Sequence, residues 1–323
     1  MKRRSFLAGV GASIGVGSID LPRAAAQPAA EAPPNVTTAT GLPRRTLGRT
    51  GAEISIVGFP GLALIHHEQP ECDAGIRKAF DHGVNYFDVA PTYGNAEERL
   101  GPALAPYRKD VYLACKTTKR RAEDAEAELN ASLKKLQTDH LDVYQLHSVT
   151  TEDDVETILG PGGALETFVK AREQGKVRFL GFSAHSEYAA LALMDAFDFD
   201  TILFPFNWAC WLGSGFGPDV IAKAKAQSMG ILALKTLAKR AWDEGEERNW
   251  SKTWYKPVES YEEAKLAVRF TLSQGVSVVT TPGHIELLRW ACEAANEFQT
   301  LTVEEEATLR EWSVGLRTIF PLK

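Results

Sequence analysis

No stretch of this 323-residue chain approaches the roughly 18 to 20 consecutive apolar residues that a membrane-spanning helix needs, so the body is expected to be soluble. Cysteine is scarce. Cys72, Cys115, Cys210 and Cys292 stand far apart, with no CxxC pair and no Cys/His metal spacing, so neither a disulfide framework nor a metal site is expected. All four read as free thiols. A GxGxxG fingerprint is missing too: the glycine-containing segment GFPGLAL (58–64) lacks the spacing, which argues against a doubly wound dinucleotide-binding sheet. Nor is there an excess of positive charge, with 36 Lys and Arg against 42 Asp and Glu. That balance disfavours nucleic acid or an anionic membrane as a partner.

The N-terminus departs from this composition. Met1-Lys2-Arg3-Arg4-Ser5-Phe6-Leu7 leads into a weakly apolar run to Ile19, and Ala24-Ala25-Ala26 precede Gln27. A charged start, an apolar middle and a small-residue end describe a cleavable export signal. The paired arginines followed by Ser-Phe-Leu resemble the twin-arginine type, whose cargo crosses the membrane already folded. Residues 1–26 are therefore expected to be removed, with a disordered Pro/Ala/Thr-rich linker over 27–43, a folded body from 44 to 323, and a periplasmic location. Loss of the leader leaves 32 basic against 41 acidic side chains, net −9.

From residue 44 onward, apolar β-type runs alternate with helical patterns. Arg44 to Glu53 reads as a hairpin or turn-rich lead-in, and 54–61 (ISIVGFPG) as the first strand. Further strands are expected at 85–89, 111–116, 140–147, 177–185, 201–207, 231–237 and 276–283. Helices are expected at 73–83, 96–107, 122–136, 163–175, 186–197, 218–230, 261–275 and 285–298. Several of these helices end on glycine (Gly83, Gly175, Gly230, Gly275), the residue that accepts positive φ just past a helix. Apolar strands without clean alternation fit a parallel sheet buried on both faces. Eight such units without a break predict an α/β fold, a single (β/α)8 TIM barrel. The longest interruption, 239–259, is polar yet carries Trp242, Trp250, Trp254 and Tyr255, and reads as a lid or pocket wall over the barrel mouth.

In such a barrel the carboxyl ends of the strands converge on the face where chemistry is built. Asp88, Tyr93, Lys116 and His147 each sit just past an apolar run, in NYFDVAPTYG, VYLACKTT and HLDVYQLHS. A carboxylate, a phenol, an amine and an imidazole meeting at one rim form a proton-transfer site. Tyr93 is the natural acid; Lys116 beside it favours the phenolate and lowers a pKa that is ordinarily near 10. Asp88 would pair with Lys116, and His147 would be placed to donate a hydrogen bond to a reacting oxygen.

The stretches FDVAPTYGNAEERLG (87–101), ACKTT (114–118), LNASLKKLQTDHLDVYQLH (129–147), GKVRFLGFS (175–183) and Pro282-Gly283 together resemble the aldo-keto reductases over roughly residues 44–318. The resemblance implies the same four residues as a catalytic tetrad. It also implies a nicotinamide dinucleotide bound in extended form across the barrel mouth. Ser183 would then contact the carboxamide, with Ala184-His185 following it, and Leu203 would stand where the family often has a glutamine. Phe206 would stack on the nicotinamide or simply pack in the core. Lys235, Thr236 and Leu237 would face the pyrophosphate, and Pro282 and Gly283 would open the loop before the last helix. His284 and Arg289 would form a thin site for a 2′-phosphate, so NADP is expected and NAD is the alternative. Trp208, Trp211 and Trp254 are candidate substrate-pocket walls; for the first two, apolar packing is an equal reading. His66-His67 would line the pocket or face solvent.

The implied activity is NAD(P)H-dependent reduction of aldehydes or ketones, or its reverse, on a small-molecule carbonyl or alcohol. The alternatives are a non-catalytic nucleotide-binding regulator on the same fold, and a sugar or polyol dehydrogenase working oxidatively.

Overall fold

The computed structural model describes residues 41–321. The expected leader and the linker up to residue 40 lie outside the described residues. Leu42, two residues before the expected start of the body, is already packed: it is buried, and its N–H donates to the His82 carbonyl at 3.2 Å.

Strands β1 (Arg44–Thr46) and β2 (Glu53–Ser55) form an antiparallel hairpin. The expected first strand is thus two, and only its second part, β3 (Val57–Pro60), enters the barrel. Around the barrel follow β4 (Tyr86–Asp88), β5 (Tyr112–Thr117), β6 (Leu141–Val149), β7 (Val177–Ala184), β8 (Thr201–Phe204) and β9 (Gly230–Ala233). A two-stranded ribbon, β10 (Ala238–Ala241) with β11 (Tyr255–Pro257), then projects from the interruption at 239–259. Strand β12 (Val278–Thr280) pairs with both β9 and β3 and closes eight parallel strands into a barrel.

Between strands run helices α1 (Gln69–Asp81), α2 (Ala96–Leu104), α3 (Ala122–Lys135), α4 (Glu152–Leu159), α5 (Ala164–Glu173) and α6 (Glu187–Ala196). Then come α7 (Trp208–Ser214), α8 (Pro218–Ala226), α9 (Tyr261–Ser273), α10 (Ile285–Asn296) and α11 (Val303–Ser313). Helices α4, α7 and α11 were not expected. All three are short polar–apolar segments whose caps identify them better than their periodicity. Thr151 and Thr302 each accept the N–H three residues on while an acidic side chain reaches back, a capping box, and Asn207 caps α7. Three of the four expected glycine stops hold, with positive φ at Gly83, Gly175 and Gly275. Gly230 instead opens β9, and Ser228 takes the left-handed turn.

Two apolar layers result. Strand residues facing outward pack under the helices. Those facing inward, including Tyr86, Ala114, Val143, Leu203, Leu232 and Val278, fill the lumen together with Leu47 and Ile54 of the hairpin, which plugs its amino end. Because strand side chains alternate with a period of two, the residues two and four positions further along keep the same inward direction at the opposite rim. Tyr86 leads to Asp88, Ala114 to Lys116, and Val143 through Gln145 to His147. The four cysteines are free thiols, three of them buried.

Candidate active site

Strand register does the first work of assembly. Asp88 lies opposite Ala114, and Lys116 opposite Gln145, so the ends of β4, β5 and β6 set three polar side chains around one inward-facing corner. Asp88, Lys116 and His147 lie within the final residues of their strands rather than past them. Tyr93 alone comes from a loop, a turn in which its N–H donates to the Ala90 carbonyl and its own carbonyl accepts from Ala96 at the start of α2.

The Lys116 ammonium is fully buried. Its Nζ donates to Asp88 Oδ1 and Oδ2 at 2.5 and 2.6 Å and to the Val89 carbonyl at 3.1 Å. Burial works against the charge on Lys116, but Asp88 and Tyr93 outweigh it, so its pKa lies above the ordinary value. Burial pushes the Asp88 carboxyl up against the opposing pull of Lys116. Lys116 Nζ is 5.4 Å from the Tyr93 ring centre, and the Tyr93 and His147 rings meet edge-on with centroids 5.9 Å apart. The four expected residues are brought together.

The direction at Tyr93 differs from the sequence expectation. Burial raises the phenol pKa by more than Lys116 lowers it. Tyr93 therefore keeps its proton at neutral pH, while the lysine limits the rise. His147 is pulled down to about 3, by burial first and then by Lys116, His185, Arg120 and Lys235, so its imidazole is neutral. Its Nδ1 is buried without a partner.

The backbone around His147 is held from several sides. Ser148 is left-handed (φ 57°) at an irregularity in the β6–β7 pairing. Ser183 Oγ accepts its N–H at 2.7 Å, its Oγ meets His185 Nδ1 at 2.8 Å, and Arg120 donates to the carbonyls of His147 and Ser148 at 2.9 and 3.3 Å. Neither role follows from spacing, since Arg120 binds backbone carbonyls of β6 and His185 binds a side chain 37 residues away on the neighbouring strand.

A cleft of about 250 Å³ opens above the four residues. Ser183, Leu203, Lys235, Trp254, Pro282 and Gly283 line it, as expected or allowed from the sequence. Tyr255, named within the expected wall segment, lines it too, as do Lys252, Leu234, Thr280 and Thr281, which the sequence does not single out. Thr280 and Thr281 directly precede Pro282-Gly283, a signal that was there to be read. The interruption at 239–259 does form a cleft wall. Lys252 ties it across the mouth: its Nζ donates to the Ala63 carbonyl and its N–H to His284 Nε2.

Other expected contacts fall elsewhere. Phe206 is buried against Phe204 beneath Gly217, away from the cleft. Trp208 packs edge-on against Trp312 of α11, and Trp211 against Phe270 of α9. The reason is the same for all three: Asn207 caps α7 at once after β8 and turns the chain onto the flank of the barrel. Thr236 and Leu237 are fully buried, and the hydroxyl of Thr236 has no partner. His284 is engaged by Lys252 and Trp250, and Arg289 is exposed, 3.9 Å from Glu293. His66 and His67 do not line the cleft; His67 approaches Glu71.

The residues at 280–284 fit a phosphate-bearing group. The Thr281 hydroxyl is buried without a partner, and the first turn of α10 has no side-chain cap on its N–H groups. Gly283 packs on the backbone of Leu62, where a Cβ would sit 2.9 Å from the Leu62 carbonyl.

The described residues thus form a closed eight-stranded parallel (β/α)8 barrel whose carboxyl rim gathers a phenol, an ammonium, a carboxylate and a neutral imidazole around one cleft. The chain belongs to the aldo/keto reductase family: the family's profile, described as Aldo/keto reductase family, matches residues 67–314. Over 155 residues it is 30% identical to "Uncharacterized oxidoreductase YqkF" of Bacillus subtilis (strain 168), covering 44% of this chain and 48% of that one. Over 211 residues it is 28% identical to L-galactose dehydrogenase of Arabidopsis thaliana, covering 60% of this chain and 65% of that one. The chain thus spans about half to two thirds of the length of these curated relatives. Among solved structures it resembles the holo form of aldo-keto reductase AKR11C1 from Bacillus halodurans, with a TM-score of 0.66 at 21% identity over 86% of this chain and 99% of that one. At that identity the likeness is one of fold.

Proposed function

We propose that this protein is a nicotinamide-dependent carbonyl oxidoreductase, reducing aldehydes or ketones to alcohols, with Tyr93 as the general acid. One observation carries the reading: the Tyr93 phenol, held protonated by burial, stands beside a buried Lys116–Asp88 ion pair and a neutral His147 at the floor of one cleft. Tyr93 protonates the carbonyl oxygen, and Lys116 stabilises the phenolate that this leaves. Asp88 keeps the ammonium charged and in place. His147, being neutral, orients the oxygen by hydrogen bonding without competing as an acid. The chemistry supplied by a reduced nicotinamide dinucleotide, when bound, is hydride donation to the carbonyl carbon. Ser183, Leu203 and Leu234 would border its ring, and residues 280–284 would hold its phosphates. NADP is the expected nucleotide; the pairing of Arg289 with Glu293 and of His284 with Lys252 favours NAD as the second reading, and titration of both decides between them.

The test is turnover of a panel of simple aldehydes with NADPH and NADH by the wild-type protein and by Tyr93→Phe. Activity lost in the variant while nucleotide binding persists supports the reading. A wild-type protein that binds nucleotide and reduces nothing on the panel points instead to a regulator on the same fold. The twin-arginine-like start motivates the companion proposal that the protein is exported folded through the cell's export machinery. Periplasmic recovery that persists after Arg3→Lys/Arg4→Lys substitution would refute it.

A further inference from the structure

The cleft contains a second ammonium that the proton-transfer site does not use. Lys235 follows β9 in a left-handed conformation (φ 64°), one that disfavours any side chain bearing a Cβ. Its carbonyl accepts from Ala238 at 2.8 Å, closing a tight turn that aims the residue at the mouth. The ammonium lies 5.5 Å from the ring centre of Trp254 and 5.1 Å from that of Tyr255.

The neighbouring lysines are all engaged: Lys239 by Glu263, Lys256 by Glu246, and Lys252 by a carbonyl. Among the described residues, Lys235 has no carboxylate within ion-pair reach and no hydrogen-bond acceptor. Lys235 is half-buried, and the two ring faces offset only part of the hydration its ammonium gives up. A strained backbone, a cation without a counter-ion and an aromatic cage on one cleft wall are what an anion-binding site looks like without its anion.

We propose that Lys235 anchors an anionic group on the substrate itself, so that the preferred carbonyl compounds carry a carboxylate near the reacting carbonyl. The inference rests on the reductase reading above and names its substrate class. Placement decides between the substrate and the phosphates of a dinucleotide. Lys235 lines the same cleft as Tyr93 and His147 and acts electrostatically on the His147 and His185 imidazoles. Its cage residue Tyr255 in turn feels Tyr93. It therefore stands at the reacting end, whereas the phosphate-suited groups are those at 280–284. Burial lowers the Lys235 pKa to about 8, which leaves it charged at neutral pH. A space of about 250 Å³, shared with a nicotinamide ring, suits a short-chain oxo acid.

The experiment compares succinic semialdehyde with butanal, matched apart from the carboxylate, in the wild type and in Lys235→Met. The wild type is expected to favour the acid in kcat/KM by about 10- to 100-fold, the scale of one charge-assisted hydrogen bond, and Lys235→Met to reduce that ratio to near one. A second readout needs no turnover: succinate should change tryptophan fluorescence saturably through Trp254, butyramide should not, and Lys235→Met should abolish the succinate response. Equal efficiency on the two aldehydes, or no saturable response to succinate, would overturn the inference. So would a variant that loses nucleotide affinity but keeps the preference for acid, because Lys235 would then serve the dinucleotide. A protein that binds succinate through Lys235 yet reduces neither aldehyde would sink the reductase reading and leave the anion site standing.

Discussion

Replacing Lys116 with methionine removes the ammonium and keeps most of the stem that fills the space between β4 and β6. The Asp88 side chain, only 9% exposed, would then face the interior with no cation where it now has Nζ at 2.5 and 2.6 Å. Breaking a buried pair in this way costs about 3–5 kcal/mol. For a chain of this size that is a fall in Tm of about 5–8 °C. The loss should depend on pH. With its cation gone, Asp88 has a folded pKa raised further above its unfolded value near 3.9. The native state then binds the extra proton, and the variant loses stability as pH rises through that window. The deficit is therefore larger at pH 7 than at pH 4.5. Asp88→Asn combined with Lys116→Met should recover most of the loss, because a neutral pair needs no counter-charge. Both proteins should be inactive or nearly so, since Tyr93 loses the group that stabilises its phenolate. Thermal melts at the two pH values read the effect. A single variant as stable as wild type, or a double variant less stable than the single, would refute the account of the pair.

Tyr93→Phe should lower kcat by about 10²- to 10⁴-fold while nucleotide affinity, read by fluorescence, is retained. His147 and His185 have folded pKa values of about 3 and about 4, below the roughly 6.5 of an unfolded histidine. The stability they contribute is complete above that value and is lost as pH falls toward 4, at about 1.4 kcal/mol per pH unit for each. Replacing either with glutamine should flatten the acid limb of a plot of urea midpoint against pH. Gly61→Ala puts a Cβ 2.7 Å from the Asp88 carbonyl and 2.9 Å from Val89 Cβ. It should cost about 1–3 kcal/mol and reduce activity by moving Asp88. Gly75→Ala, in open space within α1, is the control and should stabilise by about 0.5–1 kcal/mol, measured in the same melts.

Much of this molecule is legible along the chain because its information is local. A parallel barrel repeats one unit, and each unit announces itself by an apolar run, a helix pattern and often a glycine stop. Asp88, Lys116 and His147 could be read because each rides at the carboxyl end of such a run, where a period of two carries the lumen-facing direction to the rim. Tyr93 follows the β4 run by five residues, close enough for the turn after it to keep it at the same mouth. Residues beyond the reach of this repeat read two ways, as cleft wall or as packing, and the structure selects packing. Phe206, Trp208 and Trp211 stand in sequence where a pocket wall would be, but the cap at Asn207 sends them onto the barrel flank. The place of 239–259 as a cleft wall is legible in its tryptophans, but its strand pairing is hidden by its polar composition.

The sequence by itself determined the number of barrel strands, their parallel class and which residue types end each of them, since these follow from periodicity within one unit. Only the tertiary structure decided how those residues act on one another. Closing β12 onto β3 and β9 brings 280–283, Lys235 and Trp254 to the cleft that holds Tyr93, contacts separated by scores of residues and set by register rather than by pattern. Burial in that closed space makes desolvation the larger influence on Tyr93, so the phenol stays protonated although a lysine lies beside it. The residue types are a property of the chain; their protonation states are a property of the cavity that the barrel encloses.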